Sequence, residues 1–263
     1  MLKDLCIRLV GRAFWADRVT FWTELHHALL PPRTRGMRII TGQLVRRGDT
    51  VLDVGANIGR ITHALARAVG PAGRVHAFEP TPMARRVLEA LVKLRRLRQV
   101  TVVPAAVGRE DGRLELLIPL KDNWKPMHQI THRAGDGGEE GLRLEVPLLS
   151  LDTYWKQQGE PDISLIKCDT EGQELFVLQG ARELLARCHP ALFCEVEAPY
   201  LERSGHRPED IFAFVGELGY QALRADSHDQ LVTVAGYEAR CCYFFLHPER
   251  WPAGLTHLRS AQA

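Results

Sequence analysis

One stretch of this chain reads as a strand, a glycine turn, a helix and a second strand ending in an acid, and that succession restricts the fold more than any other feature. Thr50 to Val54 is an apolar run suited to a buried strand. In VLDVGANIG, Val51 to Gly59, the glycines Gly55 and Gly59 let the backbone turn sharply into a helix from about Ile58 to Val69. Arg74 to Phe78 reads as the next strand, and Glu79 and Pro80 complete the HAFEP segment that closes it. An acid at that distance after a glycine turn is placed to accept hydrogen bonds from the two hydroxyls of a ribose. The unit predicts a parallel α/β sheet with a nucleoside pocket beyond its first two strands.

The turn also discriminates between nucleosides. A dinucleotide fingerprint, G-x-G-x-x-G, needs its second glycine so that a pyrophosphate can approach the helix N-terminus. Asn57 stands at that place and Arg60 at the third glycine's. Asp53, expected to point from the strand end into the pocket, would repel a pyrophosphate and suit the ammonium and sulfonium of S-adenosylmethionine. The set Asp53, Gly55, Ala56, Asn57 and Gly59, with Glu79 and Pro80, therefore favours that cofactor over a nicotinamide dinucleotide. A tight turn with Asp53 as a helix cap would leave Glu79 unexplained.

A chain of 263 residues can bury one substantial core, so a single domain with an appended N-terminal piece is expected. Net charge is only +2, and the six cysteines form no C-x-x-C pair. Cys168 and Cys194 lie in apolar runs, where cysteine usually serves as a small buried hydrophobe, and a reduced cytoplasmic setting fits. MLKDLCIRLVGRAF is interrupted by Lys3, Asp4, Arg8 and Arg12, so neither a signal-peptide core nor a membrane span is expected there. Residues 1–43 carry apolar residues at helical spacing up to Pro31 and Pro32, reading as a basic helical cap.

Residues 44–250 form the expected main domain, with 251–263 as a tail. After Gly59 the helix Pro82 to Leu97 and the strand Val100 to Val107 continue the βαβ rhythm. It then breaks: Arg113 to Ile118 and Leu142 to Leu149 read as strands flanking a polar loop insertion, about 119–141, which holds His128 and His132. The α/β pattern resumes with strand Ile163 to Asp169, helix Gln173 to Arg187, strand Ala191 to Val196, helix Pro208 to Leu218, strand Tyr220 to Arg224 and a last strand, Cys241 to Leu246. About seven sheet strands with helices on both faces result.

Lys167, Asp169, Glu171, Glu174 and Glu195 form a second constellation. A strand buried on both faces does not carry Lys167 and Asp169 near its carboxyl end without use, because unpaired buried charge is costly. Ligands in open α/β sheets bind beyond the carboxyl ends of the strands, where Asp169 and Glu195 should sit. Part of the group has a purely structural reading. Thr170 and Gln173 match a capping box, and Glu171 and Glu174 fall in the first helical turn, where negative charge suits the dipole.

DTEGQELFVLQGA, Asp169 to Ala181, with LIK before it and PALFCEVE after it, resembles the D-x-E-G-x-E signature of FkbM-type S-adenosylmethionine-dependent methyltransferases. VLDVGANIG, AFEP and SLDTYW are similar to the same family, over about Gly48 to Pro248. The resemblance implies a class I methyltransferase fold, a Rossmann-like three-layer sandwich with seven strands, the last antiparallel, and usually O-methylation of a hydroxyl on a sugar, polyketide or other natural product. By the same resemblance Asp53, Gly55, Asn57, Gly59 and Glu79 belong to the cofactor pocket and Asp169, Glu171, Gly172 and Glu174 to the acidic motif. The N-terminal cap and the loop insertion lie outside it.

Methyl transfer to an oxygen needs that oxygen held in line with the methyl group and relieved of its proton. Asp169 is the candidate base, with Lys167 or Glu195 setting its pKa; His128 and His132 are alternatives if the long loop folds over the pocket. Arg85, Arg86, Lys93, Arg95, Arg96 and Arg98 crowd one helix but lack interleaved aromatics, so a solvated face is expected and no nucleic-acid partner. Asp169 and Glu195 are too few carboxylates to specify a divalent metal, whose involvement stays open. The rival readings are a nicotinamide-dependent oxidoreductase, which lacks its glycines, and a non-catalytic cofactor-binding scaffold.

Overall fold

In the computed structural model, residues 12–32, 36–121, 125–126, 132–133, 141–239, 241–252 and 255 are described. Central strands β1 (Thr50–Val54), β2 (Arg74–Phe78) and β3 (Val100–Val103) are joined in parallel, and β1 also pairs in parallel with a later strand, Leu165–Cys168. Between β3 and that strand the chain makes β4 (Ala106–Val107), β5 (Gly112–Lys121), β6 (Lys125–Pro126), β7 (His132–Arg133) and β8 (Gly141–Leu149), so Leu165–Cys168 is β9. Then follow β10 (Ala191–Val196), β11 (Gln221–Ala225), β12 (Leu231–Thr233) and β13 (Cys241–Leu246).

The main sheet runs β12-β11-β13-β10-β9-β1-β2-β3, with β13 antiparallel to its neighbours β10 and β11. This is the expected sheet with its antiparallel last strand, extended by an eighth, edge strand, β12. Alternation along the buried strands divides the core between two faces. Val51, Val75, Leu165, Phe193 and Phe244 pack on one side with Leu65, Ala66 and Val69 of helix Arg60–Val69. Leu52, Val54, Phe78, Ile166, Cys168, Cys194 and Phe245 pack on the other with Trp155, Leu178, Leu184 and Ile211. Cys168 and Cys194 are thus buried, as their apolar runs predict.

Three elements differ from the sequence expectation. The strand expected over Val100 to Val107 breaks at Pro104, which has no N–H for the ladder. Its second half, β4, leaves the main sheet and pairs in parallel with β8. The helix expected over Gln173 to Arg187 is two helices, Glu174–Gln179 and Arg182–Cys188. A Cβ on Gly180 would lie 2.0 Å from the Gly108 carbonyl oxygen, and Asp152 caps the second helix by accepting from Glu183 N (3.0 Å) and Leu184 N (2.9 Å). Finally, helix Leu151–Gln157, inside the SLDTYW segment, starts on Ser150, whose Oγ accepts from Thr153 N.

The strands expected at Arg113 to Ile118 and Leu142 to Leu149 are β5 and β8, which pair antiparallel from Gly112↔Leu148 to Pro119↔Gly141 and build a second, smaller sheet with β4 and β6. N-terminal helix Arg12–Leu29 docks on helix Pro82–Leu94 through Leu25, Ala28, Val87 and Leu91. On the basic helix, Arg85 donates to Pro80 O and Arg86 lies 5.5 Å over the Phe21 ring, so part of that face is engaged within the chain. Among the described residues no helix is long and apolar enough to cross a membrane.

Candidate functional site

Beyond the carboxyl ends of β1, β2, β9 and β10 lies a cavity of about 190 Å³, open to solvent at its mouth. The turn after β1 contributes Gly55 and Asn57, and β2 contributes Phe78, Glu79, Pro80 and Thr81. From β9 and the loop after it come Asp169, Thr170, Glu171 and Gln173, and from β10 comes Glu195. Ala105, Ala106, Val107, Leu114 and Leu116 complete the lining from the smaller sheet and the segment leading to it.

The turn after β1 is held by backbone bonds across the sheet. Gly55 N and Ala56 N both donate to Phe78 O, at 3.1 and 2.9 Å. Gly55 has φ +74°, and a Cβ there would come within 1.8 Å of Asp169 O, so the end of β9 passes where any side chain would stand. Gly59 has φ +89° and lets the turn approach Leu88 of the neighbouring helix. That left-handed residue also delays the helix to Arg60 rather than the expected Ile58. Ala56 and Gly59 therefore shape the pocket without lining it.

Glu79 is buried, with burial pushing its pKa up against the bonds it accepts. Its Oε1 accepts from Thr81 N (2.7 Å) and Thr81 Oγ1 (2.5 Å), and its Oε2 from Asn57 N (2.9 Å). The Asn57 side-chain Oδ1 is buried in the cavity wall without a hydrogen-bond partner.

Asp53 does not point into the pocket as expected. It follows the parity of Val51 toward helix Arg60–Val69, is fully buried, and accepts from Thr62 Oγ1 at 2.6 Å. Its other oxygen lies 3.4 Å from Lys167 Nζ. The register explains the meeting, because Asp53 and Lys167 are directly paired on β1 and β9. Lys167 is likewise buried and outside the cavity lining. Its ammonium donates to Val54 O (3.1 Å) and Gly55 O (2.7 Å) and lies 3.4 Å from Asp169 Oδ2. Burial opposes its charge, yet the charges of Asp169 and Asp53 outweigh burial and raise its pKa. Lys167 thus ties the glycine turn to the acidic end of β9.

Asp169 has 34 % of its side-chain surface exposed, toward the cavity it lines. Burial pushes its pKa up, but the Lys167 ammonium and hydrogen bonds from Glu195 and Lys167 hold it below the ordinary carboxylate value. Glu195 moves the other way, pushed up to about 9 by burial and then by the hydrogen bond and charge of Asp169, with Glu197 adding to it. The opposite directions of the two shifts favour a proton shared by the pair, nearer Glu195.

The capping box expected from Thr170 and Gln173 is not formed. Instead Glu174, buried and outside the cavity lining, accepts from Thr170 N (2.7 Å), Thr170 Oγ1 (3.1 Å) and Gly172 N (3.3 Å), clasping the loop after β9. Glu171 and Gly172 both take positive φ in that loop, and a Cβ on Gly172 would strike the Tyr200 carbonyl at 2.2 Å. Of the loop histidines, His128 lies outside the described residues; His132 is described only as backbone of β7, paired with Leu117.

Sequence reasoning missed Thr81, two residues after Glu79, and the apolar wall of Leu114 and Leu116. The wall did have a signal in the i, i+2 alternation of RLELL.

The description "Methyltransferase FkbM domain" matches residues 53–222. Methyltransferase sdnD of Sordaria araneosa is 28 % identical over 198 residues, covering 66 % of this chain and 74 % of that protein. The 31-O-demethyl-FK506 methyltransferase FkbM of Streptomyces tacrolimicus is 30 % identical over 167 residues, covering 54 % of this chain and 63 % of that protein. Among solved structures, methyltransferase FkbM from Methylobacillus flagellatus superposes with a TM-score of 0.51 at 19 % identity over 82 % of this chain. The chain spans about half the length, 48 %, of that structure, and the likeness bears on the fold alone.

Proposed function

Because the chain belongs to the FkbM methyltransferase family, we propose that it transfers a methyl group from S-adenosylmethionine to a hydroxyl of a small molecule, with Asp169 as the group that orients and deprotonates that hydroxyl. The observation that carries this reading is the Asp169 carboxyl group facing the cavity, with the Lys167 ammonium 3.4 Å behind it and Glu195 in the same lining. The named substrate of the Streptomyces relative, a 31-O-demethyl compound, favours oxygen as the acceptor atom here.

The pocket residues fit the cofactor. Asn57 offers a buried oxygen without a partner, and Glu79 retains accepting capacity on Oε2, so both are assigned to the nucleoside, with Pro80 beside them. When bound, S-adenosylmethionine supplies a methyl group made electrophilic by its sulfonium. The protein's part is positional: Gly55 leaves room against bare backbone, and Lys167 fixes Asp169 relative to that turn. Asp169 accepts the hydroxyl proton, and the Glu195 donor keeps the carboxylate oriented. Asp53 serves this site only through Lys167 and Thr62. The reading needs no metal, and Asp169 and Glu195 stabilise each other by sharing a proton.

Thermal melting tests the cofactor assignment. S-adenosylmethionine or its demethylated product at about 100 times its dissociation constant should stabilise the native state by about 2.7 kcal/mol, and NAD should not. Equal stabilisation by NAD contradicts the reading of Asn57 and Glu79.

A further inference from the structure

The smaller sheet has two unlike faces. On β5 the charged residues Arg113 and Glu115 alternate with Leu114 and Leu116, and the charged pair bonds across the ladder to Glu145 and Arg143 of β8 on an exposed face. The other face gathers Leu114, Leu116, Leu144, Val146 and Leu148 around Ala106 of β4. A face of that kind is normally covered by core. Here Leu114 and Leu116 instead border the cavity that holds Asp169 and Glu195, together with Ala106 and Val107.

Among the described residues, the ionisable side chains that line that cavity are all acids. Glu79, Asp169, Glu171 and Glu195 line it, while among the described residues no Lys or Arg does. Lys167, buried behind the lining, is committed to Asp53, Asp169 and two backbone carbonyls. A phosphate or carboxylate on the acceptor would lose its water against acids with no cation to receive it.

We infer that the β4–β5–β8 sheet is the specificity wall of this enzyme, and that its acceptor is a neutral or cationic molecule with an apolar flank beside the hydroxyl, not an anionic one. This rests on the methyl-transfer reading above. Leu114 and Leu116 provide contact area for the flank, and the acid cluster rejects anions.

The test uses the full chain and methyl-labelled S-adenosylmethionine with extracts of the source organism. The labelled product should be retained on a reversed-phase column and pass an anion exchanger at neutral pH. A product held by the anion exchanger, and freed by phosphatase or by acid, overturns the inference. If the cofactor stabilises the protein yet no product is labelled, the methyl-transfer reading fails and takes this inference with it.

With the isolated acceptor, Leu114→Ala and Leu114→Asp should raise KM by roughly tenfold or more, the usual scale for lost apolar contact in a pocket. The dissociation constant of the demethylated cofactor should stay within about twofold. Melting curves identify whichever variant is folded, and Leu114→Ala is the milder change. An unchanged KM overturns the inference. So does an equal loss of cofactor affinity, which would make the wall part of the cofactor site.

Discussion

Glu79 has three hydrogen bonds in place before any ligand arrives, from Thr81 N, Thr81 Oγ1 and Asn57 N. A carboxylate offers about four lone-pair sites, so one ribose hydroxyl, rather than two, can be accepted without displacing a partner. Glu79→Ala should therefore weaken cofactor binding by roughly 1–3 kcal/mol and also loosen the turn, lowering the melting temperature of the cofactor-free protein. Calorimetric titration and a melt read the two effects; an unchanged dissociation constant removes Glu79 from the nucleoside site. Glu195 gives a pH prediction. Its folded pKa, about 9, lies above its ordinary 4.5, so between those values the native state binds more protons than the unfolded chain. The stability this contributes is fully present below about pH 4.5 and is lost as pH rises through about 9. Glu195→Gln keeps a neutral donor to Asp169 and cannot ionise. Its melting temperature should gain on the wild type as pH rises through that window, with turnover near neutral pH largely kept. A parallel pH dependence in the two proteins would contradict the shared proton. Glu79 and Asp169 could be placed at the cavity from the sequence, because each directly follows a strand. The sequence did not reveal Asp53 and Lys167 as partners, since their pairing depends on how β1 and β9 are aligned, which no single strand encodes.

At the scale of elements, the glycine turn and the end of β9 are one assembly. Gly55→Ala would set a methyl group against the Asp169 carbonyl at a positive φ. Overpacking adds roughly 1–3 kcal/mol to about 1–2 kcal/mol for the backbone conformation, and the damage should extend to Asp169. Denaturant unfolding should show that loss, and turnover should fall further than stability explains; a variant as stable as wild type would mean the turn can move away. The central strands were legible because burial on both faces leaves continuous apolar runs, and β10 and β13 match the sequence expectation end to end. Elements controlled by contacts distant in sequence were not. Helix Glu174–Gln179 ends where Gly108 approaches Gly180, and its successor takes its cap from Asp152. Likewise β4 joins the smaller sheet only because β8 returns beside it, about forty residues later in the sequence.

Across the molecule, the order of strands in the main sheet brings the candidate groups together. β9 and β10 lie side by side, with β9 next to β1, so Asp169 and Glu195 end beside the turn that begins at Gly55. Helix Arg12–Leu29 is separate from that arrangement, docked on Pro82–Leu94 through its own apolar seam. The fold could be expected from βαβ rhythm and from the resemblance at two motifs, whereas β4 and β5, though read as strands, gave no sign in the sequence that they wall the cavity. In the proposed reaction this assembly deprotonates an acceptor hydroxyl at Asp169. Its most direct test is transfer of labelled methyl from S-adenosylmethionine by wild type and Asp169→Asn, beside the affinity of each for the demethylated cofactor. The variant should fold and keep nearly unchanged affinity, with turnover lower by roughly 10²–10⁴, and the wild type should be indifferent to chelator. A fully active Asp169→Asn protein, or wild-type activity abolished by chelator and restored by magnesium, would contradict it.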